Sequence, residues 1–230
     1  MRRILILLAC ILNQTIFGQF GFIEDKDGYV NIRNSASVSK NVIDTLTSGQ
    51  TIFCFEPEGD WFPVDYDLSR QNKSGYVHKS RIRFIKHFDS FQYSEVTDSS
   101  IIFKIDTFTL RITKVAFNPE INNLQYHKAK PSTNVSKYLA KINGKEIWGT
   151  DGGIPKKQYG KIILQLGRNE INLPIDNLFE PNLDLTSVYI DGKNNVIYVS
   201  ALNSDGAGSY AVLWIIENGK FKERITTIPF

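Results

Sequence analysis

The sequence predicts an all-β protein: a small N-terminal barrel followed by an antiparallel β-sandwich or open barrel of about ten strands. Three observations point there. Short runs rich in Val, Ile, Thr, Tyr and Phe recur every eight to twelve residues, split by Gly, Asn and Asp. No stretch keeps apolar residues at i, i+3, i+4 and i+7 for more than two turns, so no amphipathic helix is expected. Asn143-Gly144, Asp191-Gly192 and Asn218-Gly219 each separate two such runs. These dipeptides tolerate the φ > 0 that two-residue hairpin turns demand.

The chain opens with what reads as a secretory signal peptide, residues 1–18. Arg2 and Arg3 precede an apolar run from Ile4 to Leu12, and Gly18 offers a small residue before Gln19. The run is far short of the ~20 residues a membrane-spanning helix needs. Leu7-Leu8-Ala9-Cys10 resembles a lipobox, which would place a lipid anchor on Cys10. Only six residues of apolar stretch precede it, against the ~7–15 usual in a signal. Cleavage after Gly18 is therefore the reading, giving an exported chain, periplasmic or extracellular, with no integral membrane segment.

Cleavage changes the electrostatics. Residues 1–18 hold two Arg and no acid, so their removal lowers the net charge from +3 to +1. A nearly neutral protein carries no strong field for nucleic acid or for an anionic membrane. Cys54 becomes the one remaining thiol, so no internal disulfide can form, and its apolar strand pattern predicts a buried, inert side chain. With 42% apolar residues the chain has the means to stabilise itself by core packing.

Residues 19–85 are expected to form the first unit. Val30 and Ile32 alternate with Tyr29, Asn31 and Arg33, which gives the strand an inner and an outer face. Gly49 is expected to supply φ > 0 at a turn. Residues 86–100 are polar and weakly patterned and read as a linker. The second unit, 101–230, offers the runs IIFKI, FTLRITKVAF, KYLAKI, KEIWG, YGKIILQL, EINLPI, SVYI, VIYVSAL, YAVLWII and KFKERITTI. Asn118 to Ser136 has two Pro and little pattern and reads as a loop.

Residues Asp27 to Ile85 resemble a bacterial SH3 domain. The likeness rests on Tyr29-Val30-Asn31-Ile32-Arg33, the small polar loop Ser35–Lys40, Val42–Leu46 with Gly49, Trp61 followed by Pro63-Val64, and the closing Gly75-Tyr76-Val77-His78. The insertion DYDLSRQNKS between Val64 and Gly75 departs from the family's minimal hairpin. The resemblance implies a small barrel and ligands in the cell envelope, because many such domains bind cell-wall peptides. An aromatic and acidic surface of Tyr29, Glu58, Asp60, Trp61 and Tyr66 is the expected contact. The alternative places Trp61 in the core and the acids in solvated loops.

Catalytic groups are sparse. Cell-wall cysteine peptidases, which often accompany bacterial SH3 domains, need a Cys–His pair, and no Cys follows Ile85. No G-x-S-x-G elbow occurs, and His78, His87 and His127 have no zinc-ligand spacing. Asn203–Tyr210 is Gly-rich but joins two strands, so it reads as a turn with a bulge. Asp25-Lys26-Asp27-Gly28 is a fragment of a calcium loop without its later carboxylate. No metal and no cofactor is expected.

In the second unit, NGKEIWGTDGGIP, DGAGSY and WIIENGK together resemble exported flavobacterial β proteins of no assigned activity. Trp148, Asp151, Asp205, Tyr210 and Trp214 could gather at one end of a sandwich, where loops meet; Trp148 and Trp214 could equally be core. The functional expectation is an exported, non-enzymatic binding protein for a cell-wall peptide or glycan, or for an envelope protein. Two alternatives stay open: a periplasmic inhibitor or immunity protein against a wall-degrading enzyme, and a carboxylate-dependent glycan hydrolase.

Overall fold

A computed structural model describes residues 18–68, 72–128 and 137–230. The expected leader through residue 17, with Cys10, lies outside the described residues. So do residues 69–71 of the insertion and 129–136 of the expected loop. The protein is all-β.

Seven strands form the first sheet: β1 (Gln19–Ile23), β2 (Tyr29–Arg33), β3 (Val42–Thr47), β4 (Thr51–Cys54), β5 (Trp61–Tyr66), β6 (Lys73–His78) and β7 (Ile82–Phe84). Their spatial order is β3-β2-β6-β5-β4-β1-β7. In β2 the alternation holds, with Val30 and Ile32 buried and Tyr29 and Asn31 exposed. Every strand feeds one core, from Ile23 through Ile32, Leu46, Ile52, Val64 and Val77 to Phe84, and among the described residues none beyond 23–84 joins it. Strands lie ~4.8 Å apart, so a flat sheet would leave this face in water. Ile32, Ile52 and Val77 on this face are nonetheless completely buried.

The stretch 86–100, read from sequence as a linker, contains β8 (Asp89–Ser90) and β9 (Glu95–Val96). Each is the outer strand of a different sheet in the second half. One sheet joins β9 to β10 (Ser100–Ile105), β11 (Phe108–Ala116), β15 (Lys157–Leu166) and β16 (Asn169–Asn172). The other joins β8 to β17 (Thr186–Asp191), β18 (Val196–Asn203), β19 (Tyr210–Glu217) and β20 (Lys220–Thr227). They face each other across a core that includes Phe103, Leu110, Ile162, Val199, Val212 and Trp214, a β-sandwich. A small third sheet of β12 (Leu124–Lys128), β13 (Lys137–Ile142) and β14 (Lys145–Glu146) packs Leu139 and Ile142 against Phe117 and Phe179. Strand β12 falls where a loop was expected. Most of its side chains are exposed, so it carries no apolar alternation.

The hairpin signals act in two ways. Asn143-Gly144 and Asn218-Gly219 adopt positive φ at both positions, as two-residue turns require. Asp191-Gly192 does not: Ile190 pairs with Ile197 and Asp191 with Val196, leaving a four-residue loop whose positive φ falls on Asn195. Asp191 caps this loop instead, its carboxylate accepting the Asn194 N–H and side-chain amide. Gly49 has φ of 90°, as expected for its turn.

Strand β19 is buried from Tyr210 to Ile216. A strand without polar alternation needs cover on both faces. Tyr210, Val212, Trp214 and Ile216 point into the sandwich, while Ala211, Leu213 and Ile215 point the other way. There they meet Phe20, Phe53 and Ile85 from the N-terminal half. This explains the near-continuous apolar runs QFGFI and TIFCF. Ile23, Ile52 and Cys54 turn into the first core, while Phe20, Phe22, Phe53 and Phe55 turn out to the seam. Among the described residues no helix is long and apolar enough to cross a membrane.

Candidate functional site

A groove of about 420 Å³ opens on the first sheet. Three strands build it. Tyr29, Asn31 and Arg33 share the outer face of β2 because side chains alternate. The β5–β6 ladder sets Trp61 opposite His78, and the β2–β6 pairing sets Arg33 opposite Tyr76. Trp61 therefore sits between two nitrogen-bearing groups. His78 meets it edge to face at 5.2 Å, and the Arg33 guanidinium lies 5.7 Å from the indole centroid. Tyr29 lines the same groove and is 53% exposed, so its ring is available to a ligand. Trp61 itself is half-buried, with apolar body and N–H suited to a rim position.

The charges around the groove are mostly matched. The Asp25 carboxylate is buried and paired with Arg81, and its Oδ1 also accepts the Asp27 N–H at 2.8 Å. Asp60 pairs with Lys79 at 2.8 Å, a hydrogen bond that holds its carboxyl below the usual range. Glu58 accepts the Tyr76 hydroxyl at 2.8 Å, which pushes that phenol up. The Ser80 backbone N–H donates to His78 Nδ1 at 3.3 Å. The Ser80 hydroxyl lies 2.9 Å from the same nitrogen, and Nε2 faces Asp60 at 4.0 Å. Among the described residues no three His, Cys, Asp or Glu side chains gather as a metal ion requires.

Of the five residues expected at this surface, Tyr29 and Trp61 line the groove. Glu58 and Asp60 stand beside it on the turn into β5, where Glu58 and Trp61 exchange backbone hydrogen bonds. Tyr66 is elsewhere, which corrects the expectation. It is 4% exposed in the first core, and its hydroxyl donates to Asp44 Oδ2 at 3.1 Å. Burial, with Asp44 beside it, pushes its phenol up to about 12. Tyr66 follows Trp61 by an odd number of positions, so the two must point to opposite faces of one strand. The described residues of the insertion do not line the groove. Its first and last residues extend the ladder through Asp65–Ser74 and Tyr66–Lys73, at the far end of β5 from Trp61. Arg33 and His78 were not singled out. Period-2 placement of Arg33 with Tyr29, and strand pairing of His78 with Trp61, are the signals that find them.

The second group divides likewise. Asp151 and Asp205 are exposed and line one hollow of about 470 Å³ at an end of the sandwich. Their loops are tied together by Ser204, whose hydroxyl donates to the Gly149 carbonyl at 2.8 Å. Tyr210 is not a loop residue. It is fully buried at the start of β19, its hydroxyl donating to Phe179 O at 3.0 Å. Trp148 is half-buried 6.1 Å from the Tyr210 ring. Trp214 is wholly buried, its indole N–H given to Pro174 O at 2.8 Å.

Cys54 is fully buried, and that burial pushes its thiol up, away from the thiolate form. Comparison with family models, curated proteins and solved structures finds no match for this chain.

Proposed function

We propose that the protein is an exported binding protein whose N-terminal groove takes a short peptide or glycan segment of the cell envelope. The observation that carries this reading is the half-exposed indole of Trp61, set between Arg33 and His78 with Tyr29 on the rim. Aromatic rings beside hydrogen-bonding and charged groups are the usual makeup of a recognition groove. The likeness of residues 27–85 to bacterial SH3 domains supports the same choice of ligand, and the signal-like residues 1–18 support the compartment. Function here is holding, with the sandwich as a platform. The test is a pull-down of the mature chain on insoluble peptidoglycan, with and without Trp61→Ala. Retention lost on substitution supports the site; no retention, or retention unchanged, refutes it.

A second reading, an inhibitor of a wall-degrading enzyme, draws on one observation: Asp151 and Asp205 project from two tied loops beside a single hollow. Such loops could enter an enzyme's cleft. Slowed turnover of a wall hydrolase by the protein, relieved by the double substitution Asp151→Ala and Asp205→Ala, would favour it.

A further inference from the structure

Among the described residues, Arg33 is the groove cation held only by neutral partners. Arg81 is committed to Asp25, and Lys79 to Asp60. Arg33 Nη1 donates to the Ser39 carbonyl at 2.8 Å and to Asn41 Oδ1 at 2.9 Å. Both bonds leave from Nη1, and among the described residues no acceptor takes Nε or Nη2.

The loop that grips Arg33 is itself ordered for the purpose. Asn41 Nδ2 donates to Ser35 Oγ at 2.7 Å and to Ser37 Oγ at 3.2 Å. The Ser37 and Ser39 hydroxyls meet at 2.8 Å. A row of serines thus fixes Asn41, Asn41 and Ser39 fix the guanidinium, and the indole of Trp61 lies beneath it. A cation held in this way loses little freedom when a ligand arrives. The planar fork matches a carboxylate better than any neutral group.

Taking the groove as the binding site, we infer that it recognises a free carboxylate on a short peptide. The carboxylate pairs with the open edge of Arg33, and the adjoining carbon skeleton lies against Trp61 and Tyr29. The exposed Asp27 on the same groove offers an acceptor to a peptide ammonium. A peptide supplies both charges, whereas a neutral glycan would leave Arg33 and Asp27 unanswered.

The experiment compares two preparations of insoluble peptidoglycan, one untreated and one with its carboxyl groups converted to methylamides. Soluble tetraalanine, as free acid and as C-terminal amide, is titrated alongside. The mature chain is used as wild type, Arg33→Lys, Arg33→Gln and Trp61→Ala. The expected result is that amidation weakens wild-type binding by about tenfold or more, the loss of one charge-assisted pair. Arg33→Gln should bind both preparations equally and weakly. Arg33→Lys, which keeps the charge without the fork, should fall between. Equal wild-type binding to both walls, still abolished by Trp61→Ala, overturns carboxylate recognition and leaves the groove standing. No wild-type binding to either wall or either peptide overturns the groove itself. If Arg33→Gln does not fold, the wild-type comparison of the two walls decides alone.

Discussion

Phe88 stacks on Tyr198, ring centroids 5.4 Å apart and planes 24° from parallel. The pair spans the seam between the N-terminal sheet and the outer face of the sandwich. Phe22 approaches the same tyrosine at 5.1 Å. Burial there raises the Tyr198 phenol to about 12. A seam lined by Phe20, Phe53, Leu213 and Ile215 is a continuation of the core. The two halves should therefore unfold together. Leu213→Ala is expected to cost ~2–5 kcal/mol and to lower one shared midpoint. Urea curves followed by Cys54 thiol exposure for the first half and by Trp214 fluorescence in a Trp61→Phe, Trp148→Phe background for the second should coincide. Separate midpoints would show the seam to be weak.

Tyr66 carries a pH signature. Its phenol ionises near 10 when unfolded and is raised to about 12 in the fold by burial and by Asp44. The folded state disfavours the phenolate, so this contribution is complete below pH 10 and is lost as pH climbs to 12. Wild type should lose stability across that window, and Tyr66→Phe should lose less. At neutral pH the same substitution removes the bond to Asp44 and should cost about 1 kcal/mol. Denaturant midpoints at pH 8, 10 and 11 check both statements; parallel curves for the two proteins would contradict the first, and equal midpoints at pH 8 the second.

Gly149 has φ of 108°, and a Cβ there would run into the backbone carbonyl of Phe179. That carbonyl also accepts the Tyr210 hydroxyl. Gly149→Ala should therefore cost at least ~2 kcal/mol, whereas Gly153→Ala, with open space around it, should be near neutral. Thermal melts of the two variants test the contrast.

Much of the sandwich is legible because its strands alternate and its turns are spelled out. The runs at 101–105, 108–117, 159–166 and 196–228 contain strands wherever branched and aromatic residues repeat between Asn or Gly. EINLPI, residues 170–175, is strand only through Asn172, the strand beginning at Asn169, since Pro174 has no N–H to give to a ladder. What stays hidden is of two kinds. Strands β8 and β9 are two residues long and β12 is solvent-exposed, so no periodic pattern marks them. The seam is hidden because a strand covered on both faces, as β19 is, looks like any apolar run. In the groove, the alternation of β2 places Tyr29 outward, and the rim position expected of Trp61 is a half-buried one. Tyr66 lies near Trp61 along the chain but on the opposite, buried face of the same strand. Arg33 was within reach of the same alternation that gave Tyr29, and His78 needed the pairing of β5 with β6.

The most direct test of the groove is an NMR titration of the ¹⁵N-labelled mature chain with solubilised muropeptides. The account predicts that the Trp61 indole N–H and the Arg33 and His78 amides shift together to saturation, while the Trp148 and Trp214 indoles stay still. Shifts confined to the loops of Asp151 and Asp205, or no shift at millimolar ligand, would contradict it.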